Sequence, residues 1–389
     1  ILEMRANDPK HCKPYADKFG CEFVPNQKCW GVKDVDIYMP AATQNDVNLD
    51  WAKKIAESGV KYYIEVANMP TTNEALEFLK SQKHMVVAPS KAVNAGGSTD
   101  RWENASGEVV LLNDIDLTEL TEWTPIGQGK ATGSPSYNTL TNPFTGVFDG
   151  QGFTIKGIRW TFNVENETTH LHGLFGAIKD ATIKNLKLGA AGDQIALVGT
   201  SQNVVSAGAL AGYAEGSTIV NVTNNVSVIL TGDNPDATLM MLAGIAGCIK
   251  STTIGGETKD DAVINNGDVK TGRITNTANG GTGMNIGGIC AFTLGAGTKL
   301  NYCTNNGEIS APTGRGGGLV GTLGGSTTEE NGTVIANSTN NGTIQDDAIG
   351  QYGGSKDYYN YKRMGGLVGG TVTNNNLRIE YCTNLSLIH

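Results

Sequence analysis

Six copies of one short pattern run through the last two-thirds of the chain: a small residue, an aliphatic residue, then a closing Gly or Ala. They read Gly173-Leu174-Phe175-Gly176, Ala209-Leu210-Ala211-Gly212, Gly244-Ile245-Ala246-Gly247, Gly288-Ile289-Cys290-Ala291, Gly318-Leu319-Val320-Gly321 and Gly366-Leu367-Val368-Gly369. Five are followed by Asn-rich turn residues, at Thr223-Asn224-Asn225, Asn276 to Gly280, Thr304 to Gly307, Thr339 to Gly342 and Thr383-Asn384. Self-similarity at this period marks stacked supersecondary units, each unable to bury its apolar face alone. The aliphatic markers Leu174, Leu210, Ile245, Ile289, Leu319 and Leu367 lie 36, 35, 44, 30 and 48 residues apart. A three-strand coil with short turns needs roughly 20–30 residues, within solenoid repeat lengths. The longer intervals therefore imply insertions, placed at Gly255 to Asp268 and Asp346 to Arg363.

Composition supports β-structure. Only 17% of residues are charged and 52 of 389 are Gly, which suits tight turns better than helices. Residues 1–97 hold 12 basic and 12 acidic side chains, so the whole net charge of −9 lies in the remainder. An acidic repeat region argues against nucleic acid and against an anionic membrane surface. No apolar run approaches about 20 residues, so no membrane insertion is expected within this chain. Of the seven cysteines, Cys303 and Cys382 occupy equivalent repeat positions. They read as small buried hydrophobes, and no paired short spacing suggests a metal site.

Residues 1–97 have a different grammar. Asp50 to Ser58 and Asn73 to Ser81 read as helices, the second with Asn73 as its N-cap. The apolar runs Asp36 to Met39, Tyr62 to Val66 and Met85 to Ala88 surround them, which predicts a parallel α/β piece. This segment carries Pro40-Ala41-Ala42-Thr43-Gln44-Asn45, Ala67-Asn68-Met69-Pro70-Thr71-Thr72 and Lys91-Ala92-Val93-Asn94-Ala95-Gly96-Gly97. In these it resembles the glutamate dehydrogenase family. The resemblance implies that Thr43, Gln44 and Asn68 lie near the nicotinamide ribose and Asn94 near the nicotinamide amide. The family's Gly-rich phosphate turn, its catalytic lysine and its catalytic aspartate have no counterpart here. The NAD(P) site thus reads as incomplete, the four residues as vestigial, and the expectation is no cofactor and no activity. The join is open between a natural fusion, an engineered chimera and an assembly artefact.

Residues 98–107 form a junction and 108–389 an all-β region. Phe144 to Ile158 alternates apolar residues around Asp149-Gly150 and Gln151-Gly152 turns. Within one repeat, Gly287 to Ala291, Lys299 to Cys303 and Glu308 to Ser310 read as three strands around an Asn305-Asn306-Gly307 turn. In the second, Leu300 and Tyr302 are expected to face opposite to Asn301 and Cys303. Asn suits such a turn, and stacked Asn side chains can form a ladder along the axis. These features resemble the parallel β-helix modules of bacterial cell-surface proteins, and the later copies resemble the GLUG repeat. The expected fold class is mainly β: a right-handed parallel β-helix preceded by a small, partly Rossmann-like α/β segment.

Catalytic signals are weak. Asp260-Asp261 has no acid/base partner at a defined separation and reads as a solvated turn. His170 and His172 read as a strand face, and neither a catalytic nor a metal site is assigned. The Asn-x-Ser/Thr sites, such as Asn221 and Asn341, read as a by-product of Asn-rich turns. The densest aromatic cluster lies in the longest insertion, so Tyr352, Tyr358, Tyr359 and Tyr361 are the candidate ligand-contact residues, toward a glycan or a host or cell-surface protein. The resulting expectation is a secreted or cell-surface, non-enzymatic protein serving adhesion or acting as an extended spacer. The alternatives are a polysaccharide-active β-helix enzyme and an inactive dehydrogenase fragment.

Overall fold

The computed structural model describes residues 13–20, 23, 28–32, 34–41, 43–67, 69–88, 108–120, 122–130, 139–165, 171–199, 204–231, 239–271, 283–311, 314–325, 328–345, 363–371 and 376–386. The chain divides into two compact units, Ile1–Arg101 and Trp102–His389.

In the first unit, helix α1 (Lys13–Phe19) precedes β1 (Ile37–Tyr38), α2 (Leu49–Glu57), β2 (Tyr62–Ile64), α3 (Asn73–Lys80) and β3 (Val86–Ala88). The strands form one parallel sheet in the order β1-β2-β3, with Ile37, Tyr62 and Val86 in register. Alternation sends Tyr38 and Tyr63 to the buried face, where they join Ile55, Val60, Ala75 and Leu79. Helix α2 starts at Asn48, whose side chain accepts from the Trp51 N–H. Helix α3 starts one residue earlier than expected. Its N-cap is Thr72, in an extended conformation, and Asn73 is already helical. The preceding Pro70-Thr71 pair is held in backbone bonding to Val47, which keeps Thr72 extended.

The second unit is mainly β with parallel sheets. Arg159–Asn163, Gln194–Val198, Ser227–Leu230, Val269–Lys270, Ile309–Ser310 and Ile344–Gln345 form one six-stranded parallel sheet. Leu171–His172, Val204–Gly208, Leu239–Ala243, Met284–Gly287, Arg315–Gly317 and Arg363–Gly365 form a second. The remaining repeat strands make a curved sheet in which each strand again pairs in parallel with its counterpart one repeat later. The aliphatic markers share one phase. Leu210 N–H donates to Ile245 O at 3.1 Å, Ile289 N–H to Leu319 O at 2.9 Å and Leu319 N–H to Leu367 O at 3.0 Å. All six pack into one hydrophobic cluster, Leu367 being half-buried.

A buried ladder of asparagines runs along the turns. Asn224 Nδ2 donates to Asn265 Oδ1 (2.8 Å), Asn265 to Asn305 (2.8 Å), Asn305 to Asn340 (2.9 Å) and Asn340 to Asn384 (3.0 Å). Asn265, Asn305 and Asn340 each also donate to the carbonyl of the glycine two residues on. A second, exposed ladder runs the other way, Asn341 donating to Asn306, Asn306 to Asn266 and Asn266 to Asn225. The turn of the middle repeat is therefore Asn265-Asn266-Gly267. The expected turn at 276–280 lies outside the described residues. Val263–Asn265 and Val269–Lys270 are strands of the repeat, so within that stretch the excursion narrows to the segment before Val263, which includes the 3-10 turn Lys259–Asp261.

Inside the Lys299 to Cys303 stretch the expected alternation fails. Leu300 and Cys303 are both fully buried, while Asn301 and Tyr302 are half-buried. Tyr302 takes a left-handed φ of 52°, which turns a corner and resets the phase. Asn185, Asn221, Asn337 and Tyr381 take the same conformation at the same corner of other repeats.

Candidate functional site

The open α/β sheet of the first unit presents the loops at its strand carboxyl ends, where ligands of such sheets bind. The loops after β1 and β2 are sewn together by backbone bonds. Pro40 O accepts from Val66 N–H (3.0 Å) and Ala67 N–H (2.9 Å), Asn45 N–H donates to Met69 O (2.9 Å), and Val47 N–H to Pro70 O (2.9 Å). Asn45 and Met69 both adopt left-handed φ, 57° and 46°, so the two loops turn sharply where they meet. Below them Tyr63 Oη and Thr71 Oγ1 are 2.7 Å apart in a buried hydrogen bond. Burial pushes the Tyr63 phenol far above its ordinary range, so it stays protonated. At the side, Lys28 Nζ donates to both Asp46 Oδ1 and Asp46 O at 2.7 Å.

Thr43 and Gln44 stand exposed on this ridge. They offer a hydroxyl and a carboxamide, which suit hydrogen bonding to sugar hydroxyls or a planar amide rather than proton transfer. Asn68 and Asn94 lie outside the described residues, so their expected place beside Thr43 and Gln44 is not described. Sequence reasoning passed over Tyr63 with Thr71, and Met69. A hydroxyl pair with one partner inside a strand carries no local signal. A left-handed Met runs against residue preference.

In the second unit the catalytic signals are accounted for structurally. Asp261 Oδ2 accepts from both the N–H (3.1 Å) and the Oγ1–H (2.9 Å) of Thr258, closing a capping box on the 3-10 turn. His172 is buried on a strand against Phe162, ring centroids 4.5 Å apart. Cys303 and Cys382 flank Ser338 in one column, and Cys303 Sγ donates to Ile254 O at 3.3 Å. Among the described residues no cluster of His, Cys, Asp or Glu could hold a metal ion. Tyr352, Tyr358, Tyr359 and Tyr361 lie outside the described residues.

Comparison with known proteins finds a similarity in the first unit. Residues 1–100 match the family model for Glutamate/Leucine/Phenylalanine/Valine dehydrogenase. The particular relatives follow. The NAD-specific glutamate dehydrogenase of Clostridium symbiosum is 68% identical over 151 residues, 38% of this chain and 33% of that protein. The NADP-specific glutamate dehydrogenase of Psychrobacter sp. (strain TAD1) is 42% identical over 96 residues, 25% of this chain and 21% of that one. A solved glutamate dehydrogenase shares 69% identity over 25% of this chain and 22% of its own, with a TM-score of 0.23. The chain thus spans a third or less of the length of the curated relatives it matches. A Bacteroides ovatus structure, described as a proposed immunoglobulin A1 protease, covers 71% of this chain and 67% of its own at 18% identity and a TM-score of 0.38, too low to carry an argument.

These matches overturn the functional expectation. The relatives with shown similarity are dehydrogenases, which are enzymes, and nothing in the family match supports a secreted adhesin, a GLUG-repeat surface protein, a polysaccharide-active enzyme or an inactive remnant. The expectation of no cofactor finds no support in these matches either, since the matched relatives are NAD- or NADP-specific. The error had a physical root. Repeats dominate the chain by length, whereas the chemistry-bearing similarity sits in its first quarter.

Proposed function

We propose that the first unit is a nicotinamide-dinucleotide-binding segment of the glutamate dehydrogenase type, with Thr43 and Gln44 at the nicotinamide ribose and Asn68 and Asn94 completing that side. The observation that supports it most is the sewn ridge at the carboxyl ends of β1 and β2, which holds Thr43 and Gln44 exposed on a rigid backbone. Bound there, a nicotinamide would accept hydride from the α-carbon of an amino acid such as glutamate. The residues of this chain would hold the ribose and fix the ring's orientation. Saturation-transfer NMR of the full chain with NAD+ tests the reading. Transfer to the nicotinamide and ribose protons, weakened about tenfold or more in affinity by Gln44→Ala, is the expected result. That equals about 1.4 kcal/mol. Absence of transfer to NAD+ and NADP+ alike would end it.

We further infer that the second unit is a parallel β-helix. Supporting this are, among the described residues, the parallel pairing of repeat strands with their counterparts in the next repeat and the aliphatic and asparagine columns that run through the repeats. An experimental structure in which successive repeats are not stacked would overturn it.

A further inference from the structure

Asparagine followed by glycine is prone to lose its side-chain amide, because Gly has no Cβ to shield the peptide nitrogen that attacks it. The chain holds five such pairs, beginning at Asn266, Asn279, Asn306, Asn331 and Asn341. Asn279 lies outside the described residues. The other four asparagines are all exposed, so exposure does not separate them. Hydrogen bonding does. Asn266 donates through Nδ2 to Asn225 (2.9 Å) and accepts through Oδ1 from Asn306 (2.8 Å), and Asn306 in turn accepts from Asn341 (2.8 Å). The attacking nitrogens are engaged as well. Gly267 N–H donates to Asn265 Oδ1, and Gly342 N–H is shared between Asn340 Oδ1 and Asn305 O, each at 3.2 Å. Asn331, on the 3-10 turn Glu329–Asn331, stands apart. Its Oδ1 accepts from Thr328 N–H at 2.7 Å. Among the described residues neither its Nδ2 nor the Gly332 N–H has a hydrogen-bond partner.

We propose that Asn331 is a site of spontaneous deamidation, and that the outer ladder protects the three pairs of identical sequence. The Gly332 nitrogen attacks Asn331 Cγ. The N–Cγ bond forms, the Cγ–Nδ2 bond breaks, and the Gly332 proton leaves with the amide as ammonia. Water then opens the cyclic imide at either carbonyl, giving aspartate or isoaspartate. Thr328 N–H points at the oxygen on which negative charge develops during the attack, which lowers the barrier. The aspartate product also fits the turn. In the 3-10 turn Lys259–Asp261 an aspartate holds the same place, and Asp261 Oδ2 accepts from Thr258 N–H at 3.1 Å. A carboxylate at Asn266, Asn306 or Asn341 would not fit, because it cannot donate to the next ladder member.

Peptide mapping by mass spectrometry tests this on the full chain held folded in mildly alkaline buffer, beside a sample unfolded in urea. In the folded chain Asn331 is expected to convert about tenfold or more faster than Asn266, Asn306 or Asn341, about 1.4 kcal/mol in barrier. In urea the four are expected to convert at similar rates, because only the sequence then acts. Asn341→Ala removes the donor to Asn306 Oδ1. It is expected to speed conversion of Asn306 in the folded chain and to leave Asn331 unchanged, with circular-dichroism melting showing that the variant folds. Three results would each overturn the proposal: Asn331 intact in the folded chain while it converts in urea, a ladder asparagine keeping pace with Asn331 in the folded chain, or Asn306 no faster in the Asn341→Ala variant.

Discussion

At the scale of single residues, the asparagines of the inner ladder are both donors and acceptors with no slack. Asn305 accepts from Asn265, donates to Asn340 and donates to Gly307 O. Replacing it with Ala strands one hydrogen of Asn265 Nδ2, whose other bond goes to Gly267 O, and takes one of two donors from Asn340 Oδ1, which keeps the Gly342 N–H. Asn305→Ala should therefore cost about 1–3 kcal/mol per stranded group, read by urea denaturation. The exposed ladder is wet, so Asn306→Ala should cost far less in the same measurement. Thiols report the interior differently. Burial pushes the Cys303 thiol up to about 12, opposed by its backbone and Ser338 hydrogen bonds. Cys248 and Cys290 are raised further, again by burial. Peptide mapping after alkylation of the native chain should find these three unlabelled and exposed Cys29 labelled, because only the thiolate reacts. Labelling of Cys303 at the rate of Cys29 would show that the column opens.

At the scale of elements, the first Gly of the repeat pattern and the Asn of its turn are two halves of one device. A Cβ at Gly244 would collide with the side chain of Asn265, at Gly288 with Asn305, at Gly318 with Asn340 and at Gly366 with Asn384. Gly318→Ala also meets Gly366 O. It should cost about 1–3 kcal/mol as an overpacked position, measured by the fall in urea midpoint. Leu319→Ala removes a fully buried member of the aliphatic column and should cost about 2–5 kcal/mol. The strand-end carboxylate Asp149 adds a pH dependence. Burial pushes its pKa up, but the Gln151 N–H, the Asn185 amide and the Lys184 ammonium outweigh this and hold it below the ordinary carboxylate value. A depressed folded-state value stabilises fully above the unfolded value and is lost as pH falls through the folded one. Asp149→Asn should thus flatten the acid limb of the stability curve below about pH 4, a window set by the ordinary carboxylate range.

At the scale of the whole molecule, the two compact units differ in what folds them, and a calorimetric scan should separate them. Leu319→Ala should lower only the transition of the second unit. Saturating NAD+ should raise only that of the first, since a ligand stabilises the unit it binds. The repeats, their phase, the strand-helix-strand order of the first unit and the likeness of Thr43 and Gln44 to a dehydrogenase segment were all legible in the sequence. Each is a local or periodic property, carried by alternation, turn residues and spacing. The reversal of facing at Tyr302, the choice of Asn265-Asn266-Gly267 as the ladder turn and the pairing of Gly318 with Asn340 were not. Residue preference disfavours a left-handed Tyr, and two Asn-rich stretches in one repeat are equivalent until a neighbouring coil selects one. The Gly–Asn fit joins residues 17 to 22 positions apart, brought together only when the repeat closes its coil. Sequence by itself set the period of this protein. Only stacking one repeat against the next decided which side chains lie inside it, because register across a parallel sheet is fixed by the partner strand and not by the strand itself.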